Sequence, residues 1–245
     1  MIKKILSSAL LSAAASMSVA ANAAYTTYFG EDLGLGEAKF LNSRPNSNAA
    51  NASFLSRLTN PGVANFENFA DNTANPSINF GSAGITATLS GGSVASTANG
   101  TTNGVGRYGI SGDPDGNGRD SYYETSSALT LTFSSPVGAF GFYGIDIGDF
   151  NGQVTVTTVG GLSKLFNVGN TLNGAGGGVL FWGLISDTAT FTSISFGNTA
   201  SGTDFFGFDN FTIGSLTQIT PTTVPEPSTF ILMLAALHFF RKRKI

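Results

Sequence analysis

Short segments in which apolar and hydroxyl-bearing residues alternate are the feature that most constrains the fold. Residues 129–133 read Leu-Thr-Leu-Thr-Phe, and residues 154–157 read Val-Thr-Val-Thr. A period of two sends one set of side chains into a core and the other into water, as in a half-buried β-strand. Glycine, asparagine and serine interrupt such segments at short intervals. The pattern predicts an all-β domain.

Ten segments fit this strand pattern, and only one fits a helix. The predicted strands cover residues 63–69, 85–90, 106–110, 128–133, 137–145, 153–159, 164–168, 179–185, 189–196 and 205–213. A short helix is predicted at residues 48–58, with Ser47 or Asn48 as its cap and Asn60-Pro61-Gly62 as its stop. Residues 25–46 are expected to form an irregular arm that lies on the domain. Together these elements predict a single β-sandwich or jelly-roll-like domain with one short N-terminal helix.

Phenylalanine is the expected core residue, since the chain contains 21 of them. They concentrate in the predicted strands, and alternating glycines, as in Phe140-Gly141-Phe142, would let large rings from the opposite sheet approach the backbone. Tyr122, Tyr123 and Trp182 are candidates for a sugar-stacking surface, provided that they are exposed.

The N-terminus has the three parts of a secretory signal peptide. Met1-Ile2-Lys3-Lys4 is positively charged, residues 5–19 are apolar, and Ala21-Asn22-Ala23 is a small-x-small cleavage site. The sequence therefore predicts export and a mature chain that begins at Ala24.

The C-terminus has the features of a second targeting signal. Pro225-Glu226-Pro227 precedes an apolar run at residues 230–240 and the basic end Arg241-Lys242-Arg243-Lys244. A helix of this length would span about 16 Å, whereas a bilayer core is about 30 Å thick. The terminal cations would hold such a segment at the cytoplasmic leaflet. The tail is thus expected to act as a short, transient inner-membrane anchor.

This order of parts resembles the PEP-CTERM sorting signal of exosortase substrates. The resemblance implies that an exosortase-like membrane protease cuts near Pro225-Glu226-Pro227 and passes the body to the cell surface or exterior. Segments of the body, among them residues 28–32, 136–143 and 208–213, also resemble exosortase-dependent surface proteins, which implies an extracellular β-sandwich. The expected organisation is a signal peptide at 1–23, a domain at 24–220 and a sorting signal at 221–245.

Composition excludes several classes of function for the body. Six of the 12 basic residues lie in the two ends, whereas all of the 15 acids except Glu226 lie between them. An acidic body disfavours nucleic-acid binding, which needs a basic surface. The chain has no cysteine, and its one histidine, His238, lies in the tail. Catalytic Ser-His-Asp and Cys-His sites and histidine-ligated metals are therefore excluded from the body.

Carboxylate chemistry remains open. Asp113-Pro114-Asp115-Gly116-Asn117-Gly118 followed by Glu124 matches the pattern of a twelve-residue calcium loop. The predicted ligands are Asp113, Asp115, Asn117, the carbonyl of Arg119 and Glu124. The alternative is a solvated turn, because the same residue types build turns. Glu67 and Asp209 form a second candidate cation site, by analogy with jelly-roll sugar-binding modules.

Three functions are compatible with these observations. The leading hypothesis is an exported, non-enzymatic cell-surface or extracellular-matrix protein that binds calcium or polysaccharide. The second is a lectin-like carbohydrate-binding module. The third is a glycoside hydrolase whose carboxylate pair is drawn from Glu67, Asp146, Asp149, Asp204 and Asp209.

Overall fold

A computed structural model describes residues 25–34, 36–113, 116–147, 151–172, 177–197 and 205–221. The signal peptide with Ala21 and Ala23, and the sorting tail with Pro225, Glu226 and Pro227, lie outside these residues. Across the described ranges, no helix combines the length and the apolar character needed to cross a membrane.

The described residues form thirteen strands and one α-helix. In chain order these are β1 (Tyr25–Asp32), α1 (Pro45–Leu55), β2 (Gly62–Ala64), β3 (Ser77–Asn79), β4 (Thr86–Ser90), β5 (Ser93–Ala98), β6 (Arg119–Thr125), β7 (Leu129–Val137), β8 (Ala139–Ile145), β9 (Gln153–Thr158), β10 (Ser163–Asn167), β11 (Val179–Ser186), β12 (Phe191–Gly197) and β13 (Phe206–Gly214). Short 3₁₀ turns lie at Gly81–Ala83 and Leu216–Gln218.

The strands form two antiparallel sheets that pack as a sandwich, which confirms the predicted fold class. The seven-stranded sheet has the order β1-β11-β8-β13-β6-β5, and β2 also pairs with β13. The six-stranded sheet has the order β10-β9-β12-β7-β4-β3. The main core lies between them and is built largely of aromatic rings, such as Phe142, Phe196 and Phe208. The ring centroids of Phe196 and Phe208 are 4.9 Å apart in an edge-on arrangement, which is favourable for aromatic pairs.

A second apolar layer covers the outer side of the seven-stranded sheet. Helix α1 places Phe54 there, against Phe181 and two glycines of the central strands. A Cβ atom on Gly183 would lie 2.7 Å from the ring of Phe54. The glycines between aromatic residues therefore admit a ring, as the sequence suggested, but at Gly183 the ring comes from the helix and not from the opposite sheet.

Helix α1 begins three residues earlier than predicted, because an acidic side chain from β1 accepts hydrogen bonds from the backbone of its first turn. Pro45 occupies the first turn, where a missing N–H costs nothing. The carboxylate of Asp32 accepts hydrogen bonds from the backbone N–H of Asn46 at 3.0 Å and of Ser47 at 2.8 Å. Ser47 also donates its hydroxyl to Asp32 at 2.7 Å. The cap thus comes from a distant strand, and the prediction that Ser47 or Asn48 caps the helix is wrong.

Residues 25–32 are not an irregular arm. They form edge strand β1, which pairs in register with β11 from Tyr25 opposite Ser186 to Asp32 opposite Val179. The mixed polar and aromatic sequence hides the strand, because only its last residue is buried. Strands β3, β5 and β6 were also not predicted.

The remaining corrections concern strand bounds. Residues 106–110 form no strand, and the strand predicted at 63–69 is reduced to β2. The other eight predicted strands are present, with ends that differ by a few residues. Gly106 has a positive φ of 90°, and the N–H of Ile110 bonds to a side chain. Side-chain bonds thus replace a strand ladder at Ile110.

Candidate functional site

The structure does not bring the two ends of the predicted calcium loop together. The carboxylate of Asp113 accepts a hydrogen bond from the N–H of Gly118, which closes a compact turn. Arg119 and Glu124 lie beyond this turn, in β6 opposite Ala98 and Ser93 of β5. Six residues of extended chain separate Gly118 from Glu124 by about 20 Å. One calcium ion cannot contact both Asp113 and Glu124 across that distance, since Ca–O contacts are about 2.3–2.6 Å.

Glu124 has a structural partner instead. Its carboxylate contacts the guanidinium of Arg107 at 3.3 Å, and Arg107 also lies 3.8 Å from the carboxylate of Asp146. Asp115 lies outside the described residues. Among the residues that are described, no group of three or more His, Cys, Asp or Glu could hold a metal ion. A closed twelve-residue sphere with Glu124 as its last ligand therefore does not fit this fold, while calcium binding itself stays a prediction.

Glu67 and Asp209 do lie close together, at a branch in the seven-stranded sheet. Strand β13 pairs with β6 through Phe208 and then with β2 from Phe211 onward. Both carboxylates accept hydrogen bonds from backbone N–H groups at this branch. Asp209 accepts hydrogen bonds from the N–H of Ile110 at 2.6 Å and of Asn210 at 2.6 Å. Glu67 accepts one from the N–H of Ser121 at 2.9 Å.

This environment changes the ionisation of Asp209. Burial raises the pKa of Asp209 to about 7, the hydrogen bonds from Ile110 and Asn210 lower it, and the nearby Glu67 carboxylate raises it. Both acids are buried. They form a structural pair under the loop that carries Ile110, and a cation between them stays a prediction.

The aromatic residues considered for sugar stacking are not available to a ligand. Tyr122, Tyr123 and Trp182 are each no more than 1% exposed. Trp182 packs on Phe142 in the main core, with 5.9 Å between ring centroids. The hypothesis of a stacking surface at these three residues is therefore wrong.

The five acids considered for glycoside hydrolysis have different positions. Glu67 and Asp209 are buried at the sheet branch, and Asp146 lies beside Arg107. Asp149 and Asp204 lie outside the described residues. The described acids thus contact backbone amides or a guanidinium.

The outer side of the six-stranded sheet has a composition that the sequence analysis did not single out. We call it the hydroxyl face. It comprises the outward-pointing strand residues Ser77, Asn79, Thr86, Thr88, Ser90, Thr130, Thr132, Ser134, Gln153, Thr155, Thr157, Ser163, Leu165, Asn167, Ser193, Ser195 and Gly197. Apart from Leu165 and Gly197, every one carries a hydroxyl or an amide. All are exposed or partly exposed, whereas the alternate residues of these strands supply the main core.

Strand register aligns these side chains in rows. One row crosses all six strands and consists entirely of hydroxyl residues: Ser77, Thr88, Thr132, Ser193, Thr157 and Ser163. We call it the central row. A neighbouring row contains Ser90, Thr130, Ser195, Thr155 and Leu165. Within a row the residues lie about 4.8 Å apart, and the rows are about 7 Å apart, since one strand residue rises about 3.4 Å.

The hydroxyl face carries no formal charge at its described strand positions. Lys164 of β10 belongs to the inward set, because it pairs with buried Val156. Its ammonium lies 4.3 Å from the centre of the Tyr25 ring, at the edge of the other sheet. The polar residues that alternate with apolar ones in residues 129–133 and 154–157 indicate this face in the sequence. Only the strand order shows that these segments are neighbours.

Comparisons with known proteins gave similar solved structures but no matching family. No protein-family model matches the chain, and no curated protein matches it. The family 11 carbohydrate-binding module of the cellulosomal cellulase Lic26A-Cel5E of Clostridium thermocellum is similar over 64% of this chain and 95% of its own, with 10% identity and a TM-score of 0.29. The module TmCBM61, solved with β-1,4-galactotriose, is similar over 65% and 97%, with 13% identity and a TM-score of 0.27. Similarity of this degree carries no argument about a ligand.

Proposed function

We propose that this chain is an exported, non-enzymatic cell-surface or extracellular-matrix protein whose β-sandwich associates with extracellular polysaccharide. The observation that carries the proposal is the hydroxyl face, whose described polar side chains are exposed or partly exposed and lie in register. Hydroxyl groups both donate and accept hydrogen bonds, as the hydroxyls of a polysaccharide do. The engagement of Glu67, Glu124, Asp146 and Asp209 in structural contacts supports a binding role over hydrolysis.

Export and sorting rest on the two ends of the chain. The N-terminal signal peptide would direct export, and the Pro225-Glu226-Pro227 tail would direct processing by an exosortase-like protease at the inner membrane. The acidic turn at Asp113 is a further candidate for weak calcium binding, for which extracellular calcium would suffice.

Association with polysaccharide is tested by co-sedimentation. The exported protein, recovered from the cells that produce it, is mixed with insoluble and soluble polysaccharides, and the bound fraction is measured after centrifugation or size separation. We expect retention by at least one polysaccharide. A protein that stays in the unbound fraction with every polysaccharide would contradict the proposed function.

Replacement of Pro225, Glu226 and Pro227 by alanine tests the sorting step. Export should continue, because the signal peptide is unchanged, but the chain should remain uncut at the inner membrane. The measurement is the size and location of the protein after cell fractionation. The control is Thr222→Ala with Thr223→Ala, which changes the adjacent linker and should be processed normally. Appearance of the alanine variant outside the cell at the processed size would show that the motif does not direct sorting.

A further inference from the structure

The hydroxyl face also indicates which class of polysaccharide it fits. We infer that it binds neutral, ordered polysaccharide, in which several chains lie side by side. This inference rests on the proposed function and makes it more specific. Three properties of the face carry it: its charge, its area and the arrangement of its hydroxyls in two dimensions.

Charge excludes ionic polymers as the preferred ligand. The described strand positions of the face contain hydroxyl and amide side chains and no ionisable group. A polyanion such as alginate finds no cation there, since Lys164 is held over the Tyr25 ring at the sandwich edge. The acidic body as a whole would repel it. An uncharged polymer matches the face without loss of ionic hydration.

Area disfavours a protein partner. The six strands span about 24 Å, and each residue of the face occupies about 4.8 Å by 7 Å, so the whole face covers roughly 500–600 Å². A stable protein interface buries about 800 Å² on each partner. A polymer avoids this limit, because it presents the same groups repeatedly and several copies of the protein can bind along it.

The hydroxyls of the face are spread over two dimensions; some pair with each other, and others have no partner in the described chain. Within the described chain, Thr130 pairs with Ser195 at 3.0 Å and Thr157 with Ser163 at 3.3 Å, while the structure gives the hydroxyls of Thr88 and Thr132 no protein partner. A single polysaccharide chain along the central row would leave the neighbouring row unused. Adjacent parallel chains would engage both rows.

The described face also lacks aromatic rings. Short oligosaccharides commonly need ring stacking in addition to hydrogen bonds, whereas many weak hydrogen bonds suffice for a repeating surface. Each bond contributes only about 0.5–1.5 kcal/mol. We therefore expect soluble oligosaccharides to compete poorly with an insoluble polymer of the same sugar.

The test compares the exported protein with a variant of the central row. Thr88→Val, Thr132→Val and Thr157→Val remove three hydroxyls and keep a branched side chain suited to strands. Binding is measured by depletion on insoluble cellulose and insoluble chitin as neutral ordered probes, soluble dextran as a neutral disordered probe, and alginate as an anionic probe. The control variant, Thr26→Val with Thr27→Val, removes exposed hydroxyls from β1 on the other sheet.

We expect retention on cellulose or chitin. In the central-row variant, the loss of three hydrogen bonds should lower the affinity by about tenfold to a thousandfold. The control variant should bind like the parent. Binding to alginate or dextran with none to cellulose or chitin would overturn the inference and leave the proposed function intact. Equal binding by the central-row variant, with its melting temperature unchanged, would also overturn the inference. Binding to no polysaccharide would overturn both.

Discussion

Asp32 joins the first strand to the first turn of α1, and its carboxylate is the cap of that helix. It accepts two backbone N–H groups and the Ser47 hydroxyl, and it is 7% exposed. Gly30, two residues earlier, lets the helix approach closely, because a Cβ atom there would overlap the carbonyl oxygen of Asn46. The helix is thereby fixed to the edge of the seven-stranded sheet.

Asp32→Ala should therefore lower the free energy of unfolding by about 2–3 kcal/mol, from the lost cap and the buried amides left without a partner. Chemical denaturation measures the change. Ser53→Ala, at an exposed position of the same helix, is the control and should change stability by less than about 0.5 kcal/mol. A loss of equal size in both variants would contradict the capping role.

Asp209 gives stability a defined dependence on pH. The pKa of the Asp209 carboxyl is about 7 in the folded chain, against an ordinary value of 3.8, so between these pH values the folded chain holds a proton that the unfolded chain releases. Stability should fall as pH rises through this window and level off above about 7. Asp209→Asn should flatten this slope, and denaturation at several pH values measures it. The control, Glu37→Gln, removes an exposed carboxylate. A slope that persists unchanged in Asp209→Asn would assign it to another group.

At the scale of elements, β6 shows where motif matching and strand pairing compete. The acidic pattern around Asp113 fits a calcium loop by spacing, but Arg119 to Thr125 pair with β5 and β13. Because β6 is held extended by backbone hydrogen bonds, Glu124 lies beside Arg107. The spacing of ligands along a sequence predicts a metal-binding loop only where the residues between them are not paired in a strand.

Glu124→Gln separates the two interpretations of this segment. We expect it to lower the melting temperature by about 2–4 °C, through loss of the partly buried pair with Arg107, and by the same amount with calcium and with a chelator. If the acidic turn binds calcium, Asp113→Asn is the variant that should abolish a calcium-dependent rise. Loss of that rise in Glu124→Gln would restore the closed loop as the binding site.

The sequence predicted those strands in which apolar residues recur at every second position or in dense aromatic runs. The alternation in residues 129–133 and 153–159 and the Phe-rich segments of β8 and β13 defined the sandwich core. Strand β1 could not be recognised, because partly exposed residues dominate it. Asp32 could not be recognised as a cap, because it lies 14 residues from Asn46 along the chain.

At the scale of the whole molecule, the two sheets have different outer sides. The seven-stranded sheet is covered by α1 and the loops that carry Phe40 and Tyr108, whose rings are 4.6 Å apart. Within the described ranges, the outward side chains of the six-stranded sheet are exposed or partly exposed. The sequence contained the hydroxyl residues of that side, but their assembly into rows depends on the strand order β10-β9-β12-β7-β4-β3, which joins segments far apart in the chain. The proposed binding surface is thus a property of topology.

The chain has no cysteine, so a single introduced thiol reports on one surface position. Thr132→Cys places it at the centre of the hydroxyl face, and Thr27→Cys places it on β1 as a control. The rate of alkylation by a maleimide is measured with the protein free and with it bound to the insoluble polysaccharide that retains it. We predict that binding slows alkylation at position 132 at least several-fold and leaves position 27 unchanged. An unchanged rate at position 132 in protein shown to be bound would contradict the assignment of this face as the binding surface.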